Sequence, residues 1–239
     1  MIPQEWPRRV AALAQFHVAD PAAPALDEAS ERHLRTVLRA RTREEVVVTD
    51  GQGSWSICEV RETGLARVTE VGLDERGELT TLYLAALKGD HAQLAVAKAT
   101  EVGISRIVPL SARRTIVKLK GDVAHKTRAR WQRIAREAAG QCRRTFDVVI
   151  EEPLAPREVP VEVCVADFGG SGDWRGVRAV AVGPEGGWED GEWEDSRRRL
   201  SLGPTVLRAE TAGVAAALLL AFQAGNWGLT LEGGANAQR

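Results

Sequence analysis

The strongest constraint on the fold is an alternation of short apolar runs with helical patterns from Leu79 to Ala224. Residues 79–87 are almost entirely apolar, as is typical of a strand that is covered on both faces. A helical pattern follows over residues 90–102, and Gly103 is suited to end that helix. Strands that alternate with helices in this way predict an α/β domain with a parallel sheet. Further strands are predicted at 104–110, 148–150, 161–166, 177–182 and 200–203, and further helices at 122–142, 189–199 and 210–224.

The N-terminal part of the chain shows a different pattern, which is rich in short strands. A helix is predicted over residues 27–39, and strands over 45–50, 54–61 and 65–71, with glycine turns between them. This pattern predicts a small β-barrel, and the polar stretch after Leu73 is the expected linker. The predicted domains are therefore residues 1–74 and 75–239.

The charges are unevenly distributed along the chain, although the formal net charge is only -1. Residues 104–146 carry twelve Lys or Arg against two acids, and residues 151–195 carry twelve acids against three Arg. Such segregation can present a basic face to a polyanion such as RNA. It is equally compatible with a basic helix whose charged face is simply solvated.

Cysteine and histidine spacings give no indication of a metal site. Cys58, Cys142 and Cys164 are far apart, so we expect reduced, buried thiols in a cytosolic protein. No two of the four histidines have metal-ligand spacing. Residues 1–9 lack the apolar core of a signal peptide, and the longest apolar run, 214–222, is too short to span a bilayer. The sequence therefore predicts a cytoplasmic protein without a metal or a membrane span.

Two Gly-Pro turns, at Gly183-Pro184 and Gly203-Pro204, each follow an apolar run and enclose an acidic segment. Neither turn has the glycine spacing of a dinucleotide-binding loop, and no phosphate-binding P-loop occurs in the sequence. The nucleophile motif of the α/β-hydrolases is also missing. Because ligands of parallel sheets bind at the carboxyl ends of the strands, the two turns predict a crevice lined by main chain.

Residues 182–187 (VGPEGG) and 202–211 (LGPTVLRAET) together resemble the RsmE family of ribosomal RNA methyltransferases, which belongs to the SPOUT superfamily. Residues 33–39, 98–110 and 137–144 also resemble family segments. The five stretches occur in the family's order and cover nearly the whole chain. The resemblance implies a C-terminal SPOUT domain, in which a parallel sheet forms an α/β trefoil knot, and a small N-terminal PUA-like β-barrel that helps to hold RNA.

The resemblance also implies an activity: transfer of a methyl group from S-adenosylmethionine to N3 of one uridine in 16S ribosomal RNA. The implied partners are this RNA, within the assembled small ribosomal subunit, and a second copy of the chain in a homodimer. Two other functions remain open. The chain could methylate another ribosomal or transfer RNA nucleotide, or it could be a non-catalytic RNA-binding protein of ribosome assembly.

Site residues follow from the matched motifs. Arg208 is expected to steady the negative O2/O4 edge of the uridine, and Glu210 to accept the N3 proton or to orient Arg208. Glu185 is a second candidate acid. The expected cofactor-binding residues are Gly183, Pro184, Glu185, Gly186, Gly187, Leu202, Gly203 and Leu207. The expected RNA-binding residues are Arg8, Arg9, Arg35, Arg39, Arg113, Arg143 and Arg144.

Three positions depart from the family pattern. Thr205 stands where the family usually has Arg, Ala209 where it usually has Thr, and Gly140 where Glu is common. A role for these three side chains is therefore not expected, whereas a cofactor site built from main chain is unaffected.

Overall fold

The computed structural model describes residues 5–226, which divide into two compact units. Within these residues, the first unit contains 5–76 and 135–148, and the second contains 77–134 and 149–226. The division at Arg76 lies close to the expected boundary at residue 74. The sequence pattern did not predict that residues 135–148, from the middle of the chain, group with the first unit.

The strands of the first unit are β1 (Gln15–His17), β2 (Glu45–Thr49), β3 (Ser54–Val60), β4 (Leu65–Arg67) and β5 (Gly72–Leu73); the helices are α1 (Trp6–Ala11) and α2 (Glu28–Arg32), which continues as a π-helical turn, His33–Val37. The strands form one sheet in which β2, β3 and β4 are antiparallel neighbours. β1 pairs parallel to β2, and β5 pairs with β3. Val46 and Val48 of β2 are fully buried in one core cluster with Leu34 of the π-helical turn.

Arg9 lies in the interior of the first unit and is only 1% exposed. Its guanidinium carbon is 5.1 Å from the ring centroid of Trp6 and 4.5 Å from that of Trp55. Its Nη1 forms a 2.9 Å ion pair with Asp74, and its Nη2 donates to the main-chain oxygen of Arg143. Because no part of this guanidinium reaches solvent, the prediction that Arg9 contacts RNA at the surface is wrong.

Arg143 also directs its donors at main-chain oxygens. Its guanidinium donates to the carbonyls of Arg9 (3.1 Å), Ala12 (2.7 Å) and Gly140 (2.9 Å). Burial lowers the pKa of Arg143 and of its half-buried neighbour Arg144. The structure therefore gives Arg143 a structural role in the first unit, and the expected RNA contact by Arg143 finds no support.

The strands of the second unit are β6 (Thr81–Ala85), β7 (Arg106–Leu110), β8 (Val149–Ile150), β9 (Cys164–Ser171), β10 (Ala179–Val182) and β11 (Arg199–Leu200). The helices are α3 (His91–Glu101), α4 (Asp122–Gln141), whose last seven residues belong to the first unit, and α5 (Ala209–Gln223), with a 3₁₀ turn at Pro156–Glu158. The strands form a six-stranded sheet in the order β11-β9-β10-β6-β7-β8, and every neighbouring pair is parallel. This arrangement confirms the α/β fold with a parallel sheet. Gly103 has a φ of 101° and ends α3 as expected.

The predicted helix over residues 189–199 is wrong, since this segment forms turns. Gly191 has a φ of 69°, a left-handed conformation that interrupts a helix. Arg197 is 6% exposed, and its guanidinium donates to the carbonyl oxygens of Val159 (2.7 Å) and Pro160 (2.6 Å). The acidic first residues and basic last residues of this segment are typical of a helix, but Arg197 is buried and bonds to main-chain carbonyls instead.

None of the three cysteines forms a disulfide within the described residues. Cys58 and Cys164 are buried, as expected, whereas Cys142 is half-buried. Burial raises the pKa of the Cys58 and Cys164 thiols, which keeps them protonated. Between residues 5 and 226, no helix is long and apolar enough to cross a membrane.

Candidate functional site

A cavity of about 1000 Å³ lies at the carboxyl edge of the parallel sheet in the second unit. Residues 166–168 of β9 and the loops after β10 and β11 form its walls, and the starts of α3 and α5 complete them. The strand order reverses between β10 and β6, because β7 and β8 lie on one side of this pair and β9 and β11 on the other. Such reversal points are where open α/β sheets bind their ligands.

The first Gly-Pro turn begins directly after β10 and is closely packed. A side chain at Gly183 would place a Cβ 3.0 Å from the ring of Trp188. The indole nitrogen of Trp188 donates to the carbonyl of Ala166 at 3.1 Å, which fixes that ring in place. Gly187 has a φ of 69°, and its N–H donates to Pro184 at 2.8 Å. The turn therefore requires glycine at Gly183 for space and at Gly187 for backbone conformation.

The second Gly-Pro turn follows β11 and presents main chain to the cavity. Gly203 has a φ of 130°, and the hydroxyl of Ser201 bonds to both of its main-chain polar groups. The half-buried peptide groups of Leu202 and Leu207 make no hydrogen bond with any other residue between 5 and 226. Since partly buried peptide groups need partners, these donors and acceptors are available to a ligand.

Almost all the residues expected to bind the cofactor meet at this cavity. The exception is Gly186, whose carbonyl instead accepts a hydrogen bond from Nη1 of Arg114 at 2.9 Å. The Glu185 carboxylate accepts from the N–H of Lys88 at 3.1 Å, so it holds the turn to the loop after β6. The residues that line the cavity as expected are Gly183, Pro184, Glu185, Gly187, Leu202, Gly203 and Leu207.

Arg208 and Glu210 also line the cavity, but they are in different environments. Arg208 is the exposed N-cap of α5, and its guanidinium pairs with no other described residue. Glu210 is buried in the first turn of α5, and its Oε1 lies 3.2 Å from Nδ1 of His91. The contact to His91 leaves the idea that Glu210 orients Arg208 without support.

Several lining residues were not among the sequence candidates. Asp167 and Arg199 form an ion pair across β9 and β11, and Phe168 is 65% exposed at the rim. His91, which follows β6, shows no motif of its own in the sequence. Phe168 could have been noticed, because it precedes a glycine-rich stretch just after the predicted strand 161–166, but that stretch fits no known spacing.

The remaining predicted RNA contacts are on exposed or half-exposed surfaces. Arg113 is exposed near the cavity and forms a 3.2 Å ion pair with Glu189. In the first unit, Arg8 pairs with Glu45, and this bond raises the pKa of Arg8. Arg35 pairs with Glu31 at 2.8 Å. Arg39 is exposed and makes no ion pair with another residue in the described part of the chain.

Gly170 lies in β9, next to Leu200 of β11, and replacing it by alanine should destabilise the protein by about 1–3 kcal/mol. The new Cβ would lie 2.5 Å from main-chain atoms of Leu200, where the pairing of β9 with β11 shifts register. Urea unfolding would measure the change. Gly172→Ala is the matched control, because a Cβ there meets nothing within 4 Å. Equal stability of both variants would show that β11 does not pack as described.

The sequence matches a known family over most of the second unit. Residues 74–221 match the RNA methyltransferase domain family. The ribosomal RNA small subunit methyltransferase E of Bacillus subtilis is 28% identical over 221 residues, which cover 80% of this chain and 86% of that protein.

Solved structures give the same result. The ribosomal RNA small subunit methyltransferase E of Neisseria gonorrhoeae, bound to S-adenosyl methionine, superposes with a TM-score of 0.74. It is 26% identical in sequence, and the match covers 87% of this chain and 97% of that one. A putative methyltransferase of Legionella pneumophila has the same fold, with a TM-score of 0.73, 24% identity and coverage of 87% and 96%.

Proposed function

The chain belongs to the RNA methyltransferase family, and we propose that it transfers the methyl group of S-adenosylmethionine to N3 of a uridine in small-subunit ribosomal RNA. The methyltransferase activity follows from the family. The cavity at the carboxyl edge of the sheet, with its unbonded peptide groups and the unpaired Arg208, carries the proposal for substrate and cofactor.

The residues of the cavity fit the cofactor. An adenine ring needs close apolar walls and main-chain donors and acceptors, and Leu202 and Leu207 offer both. Gly183, Gly187 and Gly203 let the main chain approach a ligand closely. When bound, S-adenosylmethionine supplies an electrophilic methyl group, so the protein's task is to bind, orient and deprotonate.

In this proposal, Arg208 stabilises the negative charge that the uridine ring acquires when N3 loses its proton. A guanidinium offers several N–H donors in one plane and stays protonated at all working pH values. Because Arg208 pairs with no other described residue, its donors are available to O2 or O4 of the base. Its position at the start of α5, two residues before Glu210, puts it at the same edge of the cavity.

RNA is held, in this proposal, by exposed basic residues in each unit. Arg39 and Arg8 in the first unit, and Arg113 in the second, would contact phosphates and set affinity rather than base choice. We infer that the first unit is a PUA-like barrel, which its small antiparallel sheet supports. We also infer a SPOUT-type trefoil knot in the second unit, a homodimer, and action in the cytoplasm on the assembled small subunit.

Two alternatives remain: another RNA nucleotide as target, and a non-catalytic protein of ribosome assembly. A cavity lined by peptide groups that bond to no other described residue disfavours the second, since it offers a ready site for a small polar ligand such as the cofactor. Mass-spectrometric mapping of small-subunit ribosomal RNA from a deletion strain tests the target. We expect one 3-methyluridine to disappear and to return when the gene is restored. Persistence of every small-subunit 3-methyluridine would contradict the proposed target.

A further inference from the structure

His91 occupies a position that the proposed function does not yet explain. It is the first residue of α3 and lines the cavity, and its Nδ1 lies 3.2 Å from Oε1 of Glu210. The Glu210 side chain is only 12% exposed, whereas the imidazole is 47% exposed. A buried carboxylate is thus paired with a histidine that faces the open cavity.

This contact favours one ring nitrogen as the proton acceptor. An ionised carboxylate can only accept a hydrogen, so Oε1 of Glu210, 3.2 Å from Nδ1, favours the tautomer of His91 that carries its hydrogen on Nδ1. In that tautomer Nε2, on the opposite side of the ring, holds a lone pair. Within residues 5–226, no side chain or peptide group donates to Nε2. A base held in one tautomer by a buried carboxylate is the arrangement by which enzymes activate proton acceptors.

We propose that His91 is the general base that takes the N3 proton of the uridine, and that Glu210 is its positioning residue. This inference rests on the proposed function. The N3–H bond breaks, the proton binds Nε2, and the electron pair remains on N3 as the nucleophile for the methyl group. The imidazolium that forms is stabilised by Glu210, while Arg208 faces the negative base.

The other ionisable groups at the cavity suit this step less well. Arg208 is permanently protonated and cannot accept a proton. Asp167 is ion-paired with Arg199, Glu189 is ion-paired with Arg113, and Glu185 accepts from the N–H of Lys88. Asp190 and Asp195 are exposed carboxylates. A carboxylate is also a weaker base than a neutral imidazole.

Charged groups from two helices and one loop lie near His91. Glu210 and Arg208 lie at the start of α5 and line the same cavity, and Lys88 and Asp90 precede His91 in the loop after β6. Asp90 forms a 3.3 Å ion pair with Arg130 of α4. Glu210 is therefore the carboxylate in contact with the imidazole.

The test compares His91→Ala with wild type in single-turnover methylation of small subunits from the deletion strain. We expect the rate to fall by about 100-fold or more, and the affinity for S-adenosylmethionine, measured by calorimetry, to stay within about twofold. Added imidazole should restore part of the rate. The wild-type rate should fall at low pH, where an imidazole is protonated, and this fall should be absent in His91→Ala. Glu210→Gln should also slow the rate while it retains this dependence on pH.

His125→Ala is the matched control, because His125 is exposed on α4 in the second unit and does not line the cavity. It should methylate at the wild-type rate. The role of His91 would be overturned if His91→Ala kept the wild-type rate and pH profile. It would also be overturned if the variant were slowed but imidazole did not rescue it and its pH profile were unchanged. If the wild-type protein did not methylate small subunits from the deletion strain, that result would instead contradict the proposed function.

Discussion

Replacing Arg208 by alanine should lower the turnover number about 100- to 1000-fold, the usual effect of removing one donor to a developing anion. S-adenosylmethionine affinity should change by less than about threefold, since in the proposed site the cofactor is held by the main chain around Leu202 and Leu207. Single-turnover rates and calorimetry would separate the two quantities. The structure supports this division because the Arg208 side chain is exposed and pairs with no other described residue.

Arg175→Ala is the control for Arg208→Ala. Arg175 is 87% exposed on its side chain, pairs with Asp173, and does not line the cavity. Its removal should leave both rate and affinity unchanged. If Arg208→Ala loses affinity and turnover equally, Arg208 belongs to cofactor binding and the charge-stabilising role is wrong.

Replacing Arg9 by methionine should lower the free energy of unfolding of the first unit by about 3 kcal/mol, because it leaves the Asp74 carboxylate without its buried partner. The change also removes the cation–π contacts to Trp6 and Trp55. Urea unfolding followed by circular dichroism would measure the loss. This expectation replaces the earlier one that Arg9 binds RNA.

Arg8→Met provides the comparison within the same helix. Arg8 also forms an ion pair with a carboxylate, Glu45, but both side chains are substantially exposed, at 41% and 30%. Pairs of this kind contribute at most about 1 kcal/mol. Similar destabilisation by the two substitutions would show that Arg9 is not an internal anchor.

Parts of the fold that depend on local pattern could be predicted from the sequence. Composition alone predicts the burial of the apolar runs that form β6 and β10, and of the Ala- and Leu-rich helix α5. Both Gly-Pro turns follow strands, as expected. The prediction of a helix over residues 189–199 was wrong although the charge pattern favours one, because Gly191 has a left-handed conformation and Arg197 bonds to the main chain of Val159.

The site was only partly predictable, for a physical reason. Its glycines are visible as motifs, but the contact between His91 and Glu210 joins the starts of two helices that are far apart in sequence. The burial of Arg9 likewise depends on Asp74 and residues around Arg143. A Cβ at Gly140 would lie 3.2 Å from the carbonyl oxygen of Gln15, so a contact between segments far apart in sequence also limits which residue fits there.

The most direct test of the proposed activity uses purified protein, S-adenosylmethionine with a deuterated methyl group, and small ribosomal subunits from the deletion strain. After nuclease digestion, mass spectrometry identifies the nucleoside that carries the label. The account predicts labelled 3-methyluridine at one position of 16S ribosomal RNA and at least about 100-fold less with Arg208→Ala. A label on any other nucleoside, or no label with a correctly folded protein, would contradict it.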